Sequence, residues 1–238
     1  MRVLIKRLKT CVEGIETTVS KSSTTHFRLE QLTATGQSNL VALSPDGKYL
    51  AYQRISENKA AVWLRHLEAN TNAEIIPATA HIFGLAFANS GEYLYVVKDD
   101  PLALYRVSLL GGVPAKIVDN AQGKFSISAD DSQIAFIRAR ITKEGQYEYS
   151  LFTVKSDGSS EKKLFTGAQL HELDTPMWTP DGAAIICSYG NSKGGGREFG
   201  LIEVNAADGT IKELPGPKFF RITKMEYYRR LALVEGVN

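Results

Sequence analysis

Ser44-Pro45-Asp46-Gly47-Lys48-Tyr49-Leu50-Ala51-Tyr52 is a tight turn followed by an apolar run, and it recurs. Thr179-Pro180-Asp181-Gly182 leads into Ala183-Ala184-Ile185-Ile186-Cys187 in the same way. Two worn copies lie between them: Asn89-Ser90-Gly91-Glu92-Tyr93-Leu94-Tyr95 and Asp130-Asp131-Ser132-Gln133-Ile134-Ala135-Phe136. Proline presets φ for the first corner of such a turn, aspartate bonds back to the local backbone, and glycine accepts the positive φ that closes the hairpin. Asp131 stands where the other copies have glycine, and it tolerates a left-handed backbone at greater cost.

Aligned on Gly47, the equivalent positions are Gly91, Asp131 and Gly182, with a fifth at Tyr228, in steps of 44, 40, 51 and 46 residues. A period of about 40–45 residues is the length of a four-stranded propeller blade. Each repeat has the same internal grammar. A short apolar run precedes the turn, as in Leu40-Val41-Ala42-Leu43 and Phe83-Gly84-Leu85-Ala86-Phe87. A second run follows it, and a third comes after a variable loop, as in Val62-Trp63-Leu64 and Leu201-Ile202-Glu203-Val204. Another turn, Gly111-Gly112, Asp157-Gly158 or Asp208-Gly209, then leads to a fourth run. Short β-branched and aromatic runs punctuated by Gly, Pro, Asn and Asp are strands and hairpins.

The predicted fold class is therefore all-β: a β-propeller of four-stranded antiparallel blades, four of them plus the start of a fifth, an incomplete propeller. Blades are expected near 38–78, 82–119, 123–166 and 174–215, with a partial one over 220–238. Residues 26–238 form the propeller segment, and residues 1–25, which lack the repeat grammar, are a tail or linker remnant. The fifth turn, Tyr227-Tyr228-Arg229-Arg230, has lost the turn chemistry. An unclosed propeller exposes strand edges, so this reading expects a piece of a larger protein and self-association through the open edge.

The bulk numbers agree with a globular chain. Its 238 residues are 43% apolar and 23% charged, with a net charge of +2, which is ordinary for a packed domain. The cations are scattered and form no basic stripe, so no nucleic-acid partner is expected. Two cysteines, Cys11 and Cys187, are too few for a disulfide framework. Cys187 falls on the repeat position of Tyr52, Val96 and Phe136 and reads as a buried apolar filler. No apolar run reaches the ~18 residues of a membrane span. Met1 to Lys9 alternates apolar residues with Arg2, Lys6, Arg7 and Lys9, which is not the apolar centre of a signal peptide.

The turn unit at Ser44–Tyr52 resembles the TolB-like, WD-related propeller repeat, over roughly residues 27 to 235. Phe27-Arg28-Leu29-Glu30-Gln31-Leu32-Thr33, Ala103-Leu104-Tyr105-Arg106-Val107 and Leu110-Gly111-Gly112-Val113-Pro114 resemble the propeller regions attached to bacterial serine/threonine protein kinases. There a cytoplasmic kinase domain is joined through one membrane helix to an external propeller. That resemblance implies an extracytoplasmic module that binds a protein or peptide as the sensor part of the kinase. Related propellers precede serine peptidase domains or stand alone as periplasmic TolB-like binding proteins. These are the alternative readings. Such propellers usually carry six or more blades.

Catalytic and ligand-binding patterns are missing from the sequence, so no catalytic, cofactor-binding or metal residue is assigned and no cofactor is expected. The kinase loops and the Gly-x-Ser-x-Gly elbow of serine hydrolases do not occur. Gly194-Gly195-Gly196 lacks the Gly-Lys-Ser/Thr ending of a phosphate loop and reads as a hairpin tip, with Lys193, Arg197 and Glu198 as its solvated charges. Of His26, His66, His81 and His171, only His171-Glu172-Leu173-Asp174 is a local cluster of metal-ligand types; it is expected on a solvated loop. Tyr49, Tyr52, Tyr93, Tyr95, Trp63 and Tyr105 recur at strand positions and read as blade-to-blade packing.

Overall fold

The structure is a computed structural model describing residues 40–167, 171–191, 198–219, 221–228 and 231–237. Every regular element in it is a strand. Among the described residues no helix is long and apolar enough to cross a membrane. Four antiparallel four-stranded sheets follow one another along the chain, each a simple meander. Blade 1 is β1 (Val41–Leu43), β2 (Tyr49–Ser56), β3 (Lys59–His66) and β4 (Thr71–Thr79). Blade 2 is β5 (Ile82–Phe87), β6 (Tyr93–Lys98), β7 (Ala103–Ser108) and β8 (Ala115–Asp119). Blade 3 is β9 (Gln122–Ile127), β10 (Gln133–Ile141), β11 (Tyr147–Lys155) and β12 (Lys162–Thr166). Blade 4 is β13 (His171–Trp178), β14 (Ala184–Asn191), β15 (Glu198–Asn205) and β16 (Ile211–Phe219). A two-stranded sheet follows, β17 (Arg221–Tyr228) with β18 (Leu231–Val237). The first strands β1, β5, β9, β13 and β17 lie side by side in that order. The fold is a β-propeller.

The recurring turn always joins the first and second strands of a blade. It occupies 44–48, 88–92, 128–132 and 179–183, five residues each time. In blade 1 the Ser44 hydroxyl donates to Asp46 Oδ1 at 2.6 Å and accepts the Tyr49 N–H at 2.9 Å, while Lys48 N–H donates to Asp46 Oδ1 at 3.0 Å. Gly47, at φ 72°, donates its N–H to Ser44 O. Thr179 and Asp181 repeat this arrangement in blade 4, and Ser128 and Asp130 repeat it in blade 3. Blade 2 has Ala88 in the hydroxyl position; it keeps the backbone bonds, and Glu92 N–H donates to Ser90 Oγ at 3.4 Å where the other turns use an aspartate.

The hydroxyl bond is the largest influence holding Asp46, Asp130 and Asp181 below the usual aspartate range, with Asp130 down to about 2. A carboxyl whose folded-state pKa lies below its unfolded value adds stability above the unfolded value and loses it as pH falls through the folded one. The melting temperature should therefore hold at neutral pH and fall between about pH 4 and pH 2. Ser128→Ala should raise the pH of that fall, and Asp130→Asn should flatten it. An acid limb unchanged in both variants would exclude these turns as its source.

Side chains alternate between neighbouring cores, so the second strands are buried on both faces. Leu94 and Val96 of β6 pack with Val62 and Ile76 of blade 1, while Tyr95 and Val97 pack with Ile134 and Phe136 of blade 3. On β10, Ala135 and Ile137 turn the other way, toward Ile185, Cys187 and Ile202 of blade 4. Cys187 is fully buried there, and its burial pushes the thiol pKa well up.

Polar bonds stitch the same seams. Trp178 N–H donates to Ser126 Oγ at 3.0 Å, and the Arg106 guanidinium donates to Ser156 O at 3.1 Å. Asp131 has φ 59°, so it does adopt the conformation that glycine favours. Its carboxylate reaches the turn of blade 2, accepting Asn89 N–H and Ser90 N–H, both at 2.7 Å, and the Asn89 amide at 3.0 Å. The worn copy of the turn is thus a clasp between blades. Asp131→Gly relieves the backbone yet should still destabilise by about 1 kcal/mol, since charge-assisted bonds outweigh a relaxed φ even when partly screened. A higher urea midpoint in the glycine variant would disprove the clasp.

Candidate binding cleft between blades 1 and 2

First turns and last turns share one rim of the propeller; the middle hairpins and the links between blades share the other. On this second rim a cleft of about 570 Å³ opens between blades 1 and 2. Its lining includes Leu40, Ile55, Ala60, Ile82, His81 and Phe83, together with buried Gln53. The floor is apolar because Leu40, Ile55, Ala60 and Ile82 belong to the core of the blade 1–blade 2 seam.

One polar pair is held at this cleft. His81 lies in the link between β4 and β5, and Asp99 follows the end of β6; the register that sets Ile82 opposite Lys98 brings them together. His81 N–H donates to Asp99 Oδ1 at 2.7 Å, and His81 Nδ1 lies 2.7 Å from Asp99 Oδ2. The Thr79 hydroxyl donates to Asp99 O at 3.0 Å and to Oδ1 at 3.3 Å. Burial alone would raise the Asp99 pKa; the His81 backbone and ring donors and the Thr79 hydroxyl outweigh it and hold the group below its usual value. A carboxylate at Nδ1 places a proton there, which leaves Nε2 for a ligand. The imidazole side chain is 68% exposed and stacks on Phe83, itself 41% exposed, at 5.8 Å between centroids. The arrangement is a hydrogen-bonding nitrogen beside an aromatic surface and an apolar floor.

The other residues singled out from the sequence are dispersed. His66 ends β3, meets Tyr49 edge-on and accepts the Ala69 N–H at Nδ1. His171-Glu172-Leu173-Asp174 is not a loop: all four residues lie in β13, which extends that far because β14 pairs with it as far as Asn191. Among the described residues no group of three or more His, Cys, Asp or Glu could hold a metal ion. Glu198 opens β15 and is exposed, whereas Lys193, Gly194-Gly195-Gly196 and Arg197 lie outside the described residues, as do Cys11 and His26.

The six aromatics divide. Tyr95 and Tyr105 are buried, and Tyr49 and Tyr93 pack partly buried against the seams. Tyr52 and Trp63 are only half-buried, because they stand on the face of blade 1 that points away from blade 2. A smaller cavity of about 240 Å³ on the first-turn rim holds Asp130 and Asp181. Both carboxylates are already engaged by their own turns.

No protein-family model matches the chain, and no curated protein matches its sequence. Solved structures do match. TolB from Acinetobacter baumannii aligns with 79% of this chain at 16% identity and a TM-score of 0.60. The β-propeller domain of Myceliophteria thermophila Cps50 (Swd1) aligns with 86% at 16% identity and a TM-score of 0.59. A puromycin-hydrolyzing peptidase of Mycobacterium tuberculosis aligns with 79% at 16% identity and a TM-score of 0.60. The chain spans 46%, 64% and 30% of these proteins, respectively. Fold and comparison together show a β-propeller of the kind also seen in TolB.

Proposed function

We propose that this chain is a non-catalytic β-propeller module that binds a protein or peptide through the rim carrying the His81–Phe83 cleft. We assign it to the extracytoplasmic sensor part of a membrane-bound bacterial serine/threonine protein kinase. The cleft carries the binding reading: an apolar floor, an exposed aromatic ring and one fixed imidazole suit an apolar side chain next to a hydrogen-bond donor. The kinase assignment rests on the Ala103–Val107 and Leu110–Pro114 wording. Peptides selected for binding to the purified chain should lose about tenfold affinity for Phe83→Ala and for His81→Asn, with melting temperatures unchanged. Turnover of peptides or glycosides by the purified chain would overturn the non-catalytic reading. The coding DNA on either side tests the assignment, which requires an upstream kinase domain and membrane helix.

A second reading is favoured by the overlay on the puromycin-hydrolyzing peptidase. The module would then be the accessory gating propeller of a serine peptidase, and a downstream Gly-x-Ser-x-Gly domain would decide for it.

A further inference from the structure

We propose that the gap between the first turns of blades 3 and 4 binds a free α-amino acid, gripped by its carboxylate and its ammonium together. The three seams differ at this level, and the difference defines the ligand. Between blades 2 and 3 the Asp131 carboxylate fills the space and takes the Asn89 and Ser90 N–H groups. Between blades 1 and 2 the residue in the place of Asn89 is Pro45, which has no N–H to offer. Its ring stands 3.8 Å from a would-be Cβ of Gly91. Between blades 3 and 4 neither arrangement is present. The residue equivalent to Asp131 is Gly182, and nothing lies within 4 Å of its would-be Cβ. The residues equivalent to Asn89 and Ser90 are Ala129 and Asp130, whose N–H groups no described side chain of blade 4 reaches. The cavity of about 240 Å³ opens at this place, between two turns that carry the clasp's donors but not its carboxylate.

A further donor belongs to the same cavity. Trp178 lines it, is 5% exposed, and has its indole N–H buried without a partner. A buried donor of this kind needs an acceptor. Positive charge is needed as well. Asp130 and Asp181 also line the cavity, and both are held below the usual aspartate range, so they are charged at neutral pH. Asp181 meets Thr179 and Ala183 through Oδ1, which leaves its Oδ2 for a ligand. An anion alone would be repelled by these two carboxylates, and a cation alone would leave the Trp178 N–H unanswered. A molecule carrying both charges answers both: its carboxylate takes the place that Asp131 fills one seam away, and its ammonium faces Asp181. The site lies on the rim opposite the His81–Phe83 cleft and does not depend on it.

Titration calorimetry of the full chain against each proteinogenic L-amino acid tests this. At least one should bind, and its N-acetyl and carboxamide derivatives, each lacking one charge, should bind about tenfold more weakly. Trp178→Phe keeps the apolar ring and removes the N–H, so affinity should fall about fivefold. Gly182→Asp supplies the missing carboxylate from within the chain and should weaken binding by about tenfold or more. Gly182→Ala carries the same backbone strain without the carboxylate and should bind like wild type. Gly182→Asp should also melt above Gly182→Ala, because only the aspartate reaches the Ala129 and Asp130 N–H groups. These two variants leave the core untouched, so they test the site even if Trp178→Phe folds poorly. A chain that binds no amino acid overturns the proposal. So does a Gly182→Asp chain that binds as well as wild type or melts no higher than Gly182→Ala. Acetate binding as tightly as the amino acid would mean a site for anions only and would overturn the zwitterion.

Discussion

Gly209→Ala lowers stability by about 2–4 kcal/mol, read as a fall in the urea midpoint. Two costs coincide at this glycine, which sits in the last turn of blade 4. Its φ is 76°, a conformation that costs a side-chain-bearing residue about 1–2 kcal/mol. A Cβ there would also stand 2.1 Å from the Leu164 carbonyl oxygen, on the outer strand of blade 3. That atom is backbone in a neighbouring sheet and cannot swing aside as the end of a side chain would. Gly111 is the control. It occupies a last turn at φ 90°, yet nothing lies within 4 Å of its would-be Cβ. Gly111→Ala should therefore show the conformational cost alone, about 1–2 kcal/mol. Equal losses in the two variants would mean that the approach of blade 4 to blade 3 does not matter.

Phe136→Ala costs about 3–5 kcal/mol. The ring is fully buried between blades 2 and 3, stacked at 5.5 Å on Phe152, with the Arg138 guanidinium 5.2 Å away. Its neighbours belong to two sheets, each fixed by its own ladder, so they cannot collapse far into the space left behind. Each seam joins only adjacent blades, and the loss falls on one link of a series. The melting transition should broaden as well as shift, because the two sides then unfold less cooperatively. Phe83→Ala, half exposed at the cleft, should cost under about 1 kcal/mol by comparison. A sharp transition with a small shift at Phe136 would mean that the seam repacks.

The strands, the turn and the burial of Cys187 were legible in the sequence because they are local or periodic. A Pro-Asp-Gly turn is closed by its own residues, and a repeat position is read by counting. The hydroxyl at the head of the turn was also in plain sight at Ser44 and Thr179. Its meaning appears only when Tyr49 or Ala184 returns five residues later to donate to it. Contacts between blades were not legible. Asp131 meets Asn89 from 42 positions away, and His81 meets Asp99 from 18. Neither pair shares a motif, and only the register of the sheets brings them together. Tyr52 and Trp63 read as core for the opposite reason: they carry the periodic signal of a seam but lie on its outward side.

The constant five-residue first turn has a consequence for how such a protein can change over generations. Its closure and its clasp leave little room for insertion or deletion. Among the described residues, the middle hairpins of blades 1 to 3 on the opposite rim run from two residues at Glu57–Asn58 to five at 142–146 without altering the ladders beside them. Mutation can therefore rewrite one rim almost freely while the other preserves the architecture. A lineage could acquire a new ligand specificity there without having to rediscover how to fold.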